Sequence, residues 1–405
     1  MGIRLILSGM ALSTLSVAEL RVDGHANFCE AILHGYAACS GMIWAPVVCA
    51  TSVRINSPRR RPLVVLSPRS KNELGKETVM KLATLRDATR DGTLMVVDRT
   101  LTRMIRASHI APTMQAALDN WDAIAPRLEQ LYDEVERGEA DGAVAFDASL
   151  LAAPLPRAFG WIDGTSYLSH MERARALRGV SLPEDFSQEP LMGERVSVFL
   201  GGRDPLPLMA GDVGMDIEGE VGVILDDVPI GADEAEAARH IRLITIINDI
   251  SLRTVLAETA KRGRSVTLFA KPYPTMAPVA VTPDELGQAW DGQLLKLPLV
   301  CHVNGVLIGA PDGGRDASFG FPRLVSYCAT YKPLPAGTVL AAGTLSNYDD
   351  DIGGACIAER RLIEQRQGGA PTTRYLSGGD QIDIDMLDRY GASIFGAIRQ
   401  TVVAG

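Results

Sequence analysis

Residues 216–253 read "DIEGEVGVILDDVPIGADEAEAARHIRLITIINDISLR". The fold and the chemistry both turn on how this stretch is read. Taken as a strand with side chains alternating between two faces, its start sends Ile217, Gly219, Val221 and Val223 one way. Asp216, Glu218 and Glu220 go the other. Two ionised carboxylates about 5 Å apart repel by roughly 3 kcal/mol at an effective dielectric near 20. One reading makes these acids the solvated face of an edge strand, kept polar against aggregation. The other makes them converge on a cation. Downstream, the pattern predicts a helix over Ala232–Ile241, with acids near its start and His240 and Arg242 at its end, as the helix dipole favours. A buried strand through Ile244, Ile246 and Ile247 follows and delivers Asp249. That acid either caps a helix or needs a partner, because burying an unpaired charge is strongly disfavoured.

Outward from this segment, short β patterns punctuated by Gly and Pro dominate residues 154–405. "LLKLPLVCHVNGVLIGA" reads as a hairpin turning at Asn304-Gly305. Upstream, "MKLATLRDATRDGTLMVVD" predicts a strand, an Asp91-Gly92 turn and a returning strand Leu94–Val97. Thr113–Glu139 has helical apolar spacing, with a break expected at Pro126. The class is α+β, rich in β. The expected organisation is a small N-terminal domain, 80–153, and a larger domain, 154–405.

Residues 1–79 differ in texture. They carry nine Lys and Arg against five Asp and Glu, the run "PRRRP" and three of the six cysteines, Cys29, Cys39 and Cys49. The orderly pattern begins at Met80, so 1–79 is expected to be an over-long reading frame or an unstructured extension. A cleaved targeting sequence is the alternative.

The 405-residue chain has a formal charge of −9, with 46% apolar and 22% charged residues. That composition buries a real core and argues against nucleic acid as the main partner. Six scattered cysteines without CxxC spacing give neither a zinc pattern nor a disulfide framework, and imply a reducing, cytoplasmic setting. No apolar run approaches the ~20 residues that span a bilayer.

Two further segments bear on the carboxylates. "GWIDGTSYLSHMERARALRG" puts Asp163 in a turn and His170 seven residues on, in the first turns of a predicted helix. "FAKPYPTMAP" puts Lys271 before a proline in extended backbone, where a solvated lysine is the ordinary outcome. Oxygen ligands without Cys or clustered His favour a hard cation: Mg²⁺ first, with Mn²⁺ and Ca²⁺ accepting the same oxygens.

In order, these segments resemble the fumarylacetoacetate hydrolase family of bacterial type. "DIEGEVGVIL…INDISLR" is similar to its E-x-E strand, helix and N-D-x-S-x-R segment. "KPYPTMAPVAVTPDEL", "VNGVLIG", "LPAGTVLAAGTLSN" and "YLSGGDQIDIDMLDRYG" follow as its lysine strand, N-G hairpin, G-T-x-S loop and closing G-D strand. The resemblance covers roughly 155–405. It implies a mixed β-sandwich roll, a homodimer and one divalent ion per subunit. Position by position it implies Asp163, Glu218, Glu220 and Asp249 as metal ligands and His170 as the general base, oriented by Glu359. It also implies Lys271 and Arg253 on the oxyanion and Thr344 on the substrate. Asp216 matches no ligand and is expected behind the site or at the surface. Arg178, Arg195 and Arg203 are candidates to receive a distal carboxylate.

The activity implied is hydrolysis of a C–C bond in a 1,3-diketo acid, an acylpyruvate such as fumarylacetoacetate, in aromatic amino-acid or aromatic-compound breakdown. A decarboxylase, isomerase or hydratase of 2-oxo acids would keep the same metal and lysine. A non-catalytic metal-binding protein stands as the rival from another class.

Overall fold

The structure is a computed structural model that describes residues 78–176, 188–264 and 266–404. The question of the N-terminal extension, and Arg178, lie outside the described residues. A twelve-stranded mixed sheet forms the backbone of the molecule. Its centre is the antiparallel pair Gly219–Leu225 and Ile241–Asp249, flanked by Thr338–Ala341 on one side and Val279–Val281 on the other. Beyond Thr338–Ala341 runs Gly160–Asp163, in parallel, and then Gly193–Glu194.

Central strands are buried on both faces and so read as continuous apolar runs. Val221, Val223, Ile244 and Ile246 enter one core, and Ile224, Leu243 and Ile247 enter the other. The first core is shared with a five-stranded sheet, through Leu299, Ile382 and Ile384. In that second sheet the strands Leu299–Val303 and Val306–Gly309 meet at Asn304 and Gly305. Both turn residues have positive φ, 53° and 74°, as a two-residue hairpin turn requires.

The second core is closed by the helix Trp121–Arg137, packed on Leu82 and Leu94. The strand Lys81–Leu85 pairs with Thr93–Val97, as the sequence predicts, and on its other edge with Val279–Val281. Its hydrogen bonds therefore continue the large sheet.

Three local expectations need correcting. The helical break falls at Asp119 and Asn120, between Met114–Leu118 and Trp121–Arg137, and not at Pro126. Pro126 sits on the exposed face, where the carbonyl it leaves unpaired can meet water. The helix expected over Ala232–Ile241 spans only Glu234–Ala238, capped by Asp233. Ile241 already belongs to the next strand, while His240 and Arg242 pair with Asp226 instead of closing a helix. Asp163 is the last residue of a strand and not part of a turn.

Candidate functional site

The segment quoted above is interior. Asp216, Glu218 and Glu220 are at most 3% exposed, and all seven residues of Gly219–Leu225 are buried. The solvated-edge reading is thereby overturned. Asp249 caps no helix either: it ends its strand, and the next helix starts four residues later at Arg253. Lys271 is also buried and not solvated.

The strands converge these side chains into a row in which acids and bases alternate. Asp216 Oδ2 pairs with Arg253 Nε at 2.7 Å, and Arg253 Nη2 lies 2.7 Å from Glu218 Oε1. Glu218 then pairs with Lys271, whose Nζ also donates to Asp249 Oδ2 at 2.7 Å. Arg195 continues the row, with Nε 3.5 Å from Asp249 Oδ2 and Nη2 2.5 Å from Asp163 Oδ2. Glu220 stands outside it. Among the described residues neither of its oxygens has a hydrogen-bond partner, and the same holds for Oδ1 of Asp163 and Oδ1 of Asp249.

Asp163, Glu220 and Asp249 each offer an oxygen within 4.8 Å of the other two. Burial, reinforced by the charges of Asp163, Asp249 and Glu218, raises the Glu220 carboxyl well above its ordinary range. Asp249 is pushed up to about 6, chiefly by burial. For Glu218, burial acts in the same direction but Arg253 and Lys271 outweigh it and hold the carboxyl low.

Five buried acids thus meet one buried base, Lys271, and two part-buried ones, Arg195 and Arg253, leaving the cluster two positive charges short when all are charged. Unpartnered carboxylate oxygens plus a deficit of two charges fit an oxygen-ligated divalent cation. Glu218 is set apart from the other three expected ligands, because both its oxygens face bases.

The second half of the site is a histidine pair. His170 lies on the helix Leu168–Ala176, and its Nδ1 is 2.6 Å from Glu359 Oε1. Glu359 lies in the first turn of the helix Ile357–Arg366, whose N-cap is Cys356. Its other oxygen meets Arg173 Nη1 at 3.4 Å, and Arg173 is anchored in turn by Ser346 and Asp350. Gly354 makes room for this carboxylate: a Cβ there would run into Glu359 Oε2.

Asp216 joins the two halves. Its oxygens accept from the N–H groups of Ile357 and Ala358 at 2.7 and 3.0 Å, satisfying the start of the helix that carries Glu359.

Both halves open on one cavity of about 400 Å³, lined among others by Asp163, His170, Arg195, Glu218, Arg253, Lys271, Thr344 and Glu359. Met171, Leu256, Leu362 and Tyr375 supply apolar wall. Thr344 follows Gly343, whose φ of 86° and closeness to the Gly164 carbonyl favour glycine.

Arg203 is not part of this. It donates to the carbonyls of Ala397 and Gly396 and serves the fold. Arg173 was not anticipated, although its place one turn after His170 on a helix was a usable signal.

The chain's segments match two family descriptions: the fumarylacetoacetase N-terminal domain 2 over residues 80–157 and the fumarylacetoacetate hydrolase C-terminal domain over 160–403. The protein belongs to the fumarylacetoacetate hydrolase family. A relative from Archaeoglobus fulgidus is 28% identical over 184 residues, 45% of this chain and 65% of that one. The match therefore spans less than two thirds of that relative's length.

Among solved structures, maleylpyruvate hydrolase from Sphingobium sp. SYK-6, in complex with manganese(II) and pyruvate, has a TM-score of 0.55 at 16% identity. The alignment covers 80% of this chain and 100% of that one. Fumarylacetoacetate hydrolase from Exiguobacterium antarcticum has a TM-score of 0.52 at 20% identity, with the same coverage of each chain. These likenesses establish the fold. Among the described residues, no helix is long and apolar enough to cross a membrane.

Proposed function

We propose that the protein is a metal-dependent hydrolase that cleaves the C–C bond of a 1,3-diketo acid of the acylpyruvate class. The observation that carries this reading is the His170–Glu359 pair opening on the same cavity as the carboxylate cluster. Hydrolysis needs an activated water, and a carboxylate-oriented imidazole beside an electrophile site is suited to provide one.

Asp163, Glu220 and Asp249 would hold the divalent ion, which when bound supplies a Lewis acid for the dicarbonyl oxygens. Glu218 keeps Lys271 and Arg253 in place. Glu359 holds the His170 ring through Nδ1, leaving Nε2 to take a proton from water. The resulting hydroxide adds to the remote carbonyl. Lys271 and Arg253 then stabilise the oxyanion that develops. Its collapse breaks the C–C bond and sends the electron pair into the departing enolate. His170 returns the proton to the enolate carbon, giving two acids. Thr344, which lines the cavity, would fix the substrate's orientation. Mg²⁺ and Mn²⁺ both suit the donor set, and the protein is proposed to act as a homodimer.

The test is a spectrophotometric assay of fumarylacetoacetate, fumarylpyruvate and acetylpyruvate, each with Mg²⁺, with Mn²⁺ and with chelator. Metal-dependent loss of enol absorbance with two acid products is expected, and His170→Ala should abolish it while Mn²⁺ binding survives. Carbon dioxide release from oxaloacetate, without turnover of the diketo acids, would instead place the protein among 2-oxo acid decarboxylases.

A further inference from the structure

Arg195 occupies an unusual position for a basic side chain. The strand Gly193–Glu194 pairs antiparallel with Gly160–Asp163, Asp163 opposite Gly193, and the Arg195 N–H donates to the Trp161 carbonyl at 2.9 Å. That register turns the side chain inward, where it is only 10% exposed. Its guanidinium lies against two of the three carboxylates that converge: Nη2 is 2.5 Å from Asp163 Oδ2, and Nε is 3.5 Å from Asp249 Oδ2. Nε has no hydrogen-bond partner among the described residues, so its contact with Asp249 is one of charge.

Resting on the metal reading proposed above, we infer that Arg195 competes with the divalent ion for Asp163 and Asp249, and that this competition sets the protein's affinity for the ion. Each acid has limited negative charge to share. A fixed guanidinium beside two ligands lowers the electrostatic attraction for a second cation, and the effect is strong where water is excluded. With Arg195 in place, a divalent ion brings the cluster of five acids and three bases to neutrality. Without it, the ion enters a cluster three positive charges short and is held harder. The arginine trades tight retention of the ion for exchangeable binding, and it also shields the acids from one another.

The test is the Mn²⁺ dissociation constant of the full chain, stripped with chelator and titrated by calorimetry, with free Mn²⁺ counted by electron paramagnetic resonance. Arg195→Gln, which removes the charge and keeps a donor, should tighten binding at least tenfold. Arg195→Lys keeps the charge but loses the planar fork and should fall between Gln and wild type. A purely structural role predicts the reverse, since a damaged site binds more weakly.

Equal or weaker binding by Arg195→Gln, with its circular dichroism intact, overturns the inference. If that variant does not fold, Arg195→Met, which also removes the charge, carries the test, and a dissociation constant no tighter than wild type overturns it. Absence of Mn²⁺ uptake by wild type and variants alike would sink the metal reading itself. Uptake that ignores Arg195 would sink only this inference.

Discussion

Replacing Glu220 by Gln removes one proposed metal ligand and should nevertheless make the chelated protein more stable. Glu220 is fully buried, and neither oxygen has a hydrogen-bond partner among the described residues. An unsatisfied buried acceptor costs about 1–3 kcal/mol, and more when charged, so at alkaline pH the side chain weighs about 3 kcal/mol against folding, through an unpaired buried charge or through the proton it must hold to avoid one. Gln has the same shape, carries no charge and can donate toward Asp163 or Asp249. At about 2 °C per kcal/mol for a chain of this size, its Tm in chelator should exceed wild type by roughly 6 °C.

The pH dependence carries a defined sign. The folded-state pKa of Glu220 lies above its ordinary value of 4.5. The stability owed to the neutral form is complete below that value and is lost as pH rises toward the folded one. The gap between variant and wild type should therefore be small near pH 4.5 and widen upward. With Mn²⁺ at a hundred times its dissociation constant, wild type gains about 2.7 kcal/mol, the variant less, and the gap should close. The assay is a thermal melt across pH with chelator and with Mn²⁺. A Gln variant that melts below wild type in chelator at pH 8 would refute the reasoning.

Lys271→Met leaves Glu218 and Asp249 without their shared cation and should cost about 3–5 kcal/mol. Urea unfolding in chelator would show this, and a loss under 1 kcal/mol would mean the lysine is not the pairing partner. Gly354→Ala pushes a methyl into the Glu359 carboxylate. It should lower turnover at least tenfold with an unchanged Mn²⁺ dissociation constant, read from kcat beside a metal titration. Asp216→Asn weakens the pairing with Arg253 and the capping of Ile357–Arg366. It should destabilise by about 2 kcal/mol and lower kcat more than it raises KM.

The sequence was most informative where spacing and burial agree. The Asn304-Gly305 turn, the buried strand through Ile244, Ile246 and Ile247 and the helix bearing His170 were all readable from local pattern. The convergence of Asp163, Glu220 and Asp249 was not, because residues up to 86 positions apart meet only through the register of parallel and antiparallel neighbours. The burial of Lys271 escaped for the same reason: the acids that make its burial tolerable are remote in the chain. Glu218 and Glu220 look equivalent in sequence, yet one faces two bases and the other none. Alternation assigns a face to each side chain but does not say what stands opposite. Pro126 misled because its cost depends on which side of the helix it occupies, and that side was known only once Trp121 and Leu128 were seen packed inward.

Asp216, the acid that matched no ligand, has a consequence of its own. One oxygen is shared between Arg253 and the Ala358 N–H, and the other receives the Ile357 N–H. The carboxylate row and the helix that carries Glu359 are therefore tied directly, through this short side chain and through the Gly219 N–H, which donates to the Ala355 carbonyl at 2.9 Å. The two halves of the site are in this way one mechanical unit, and a shift of either is felt by the other.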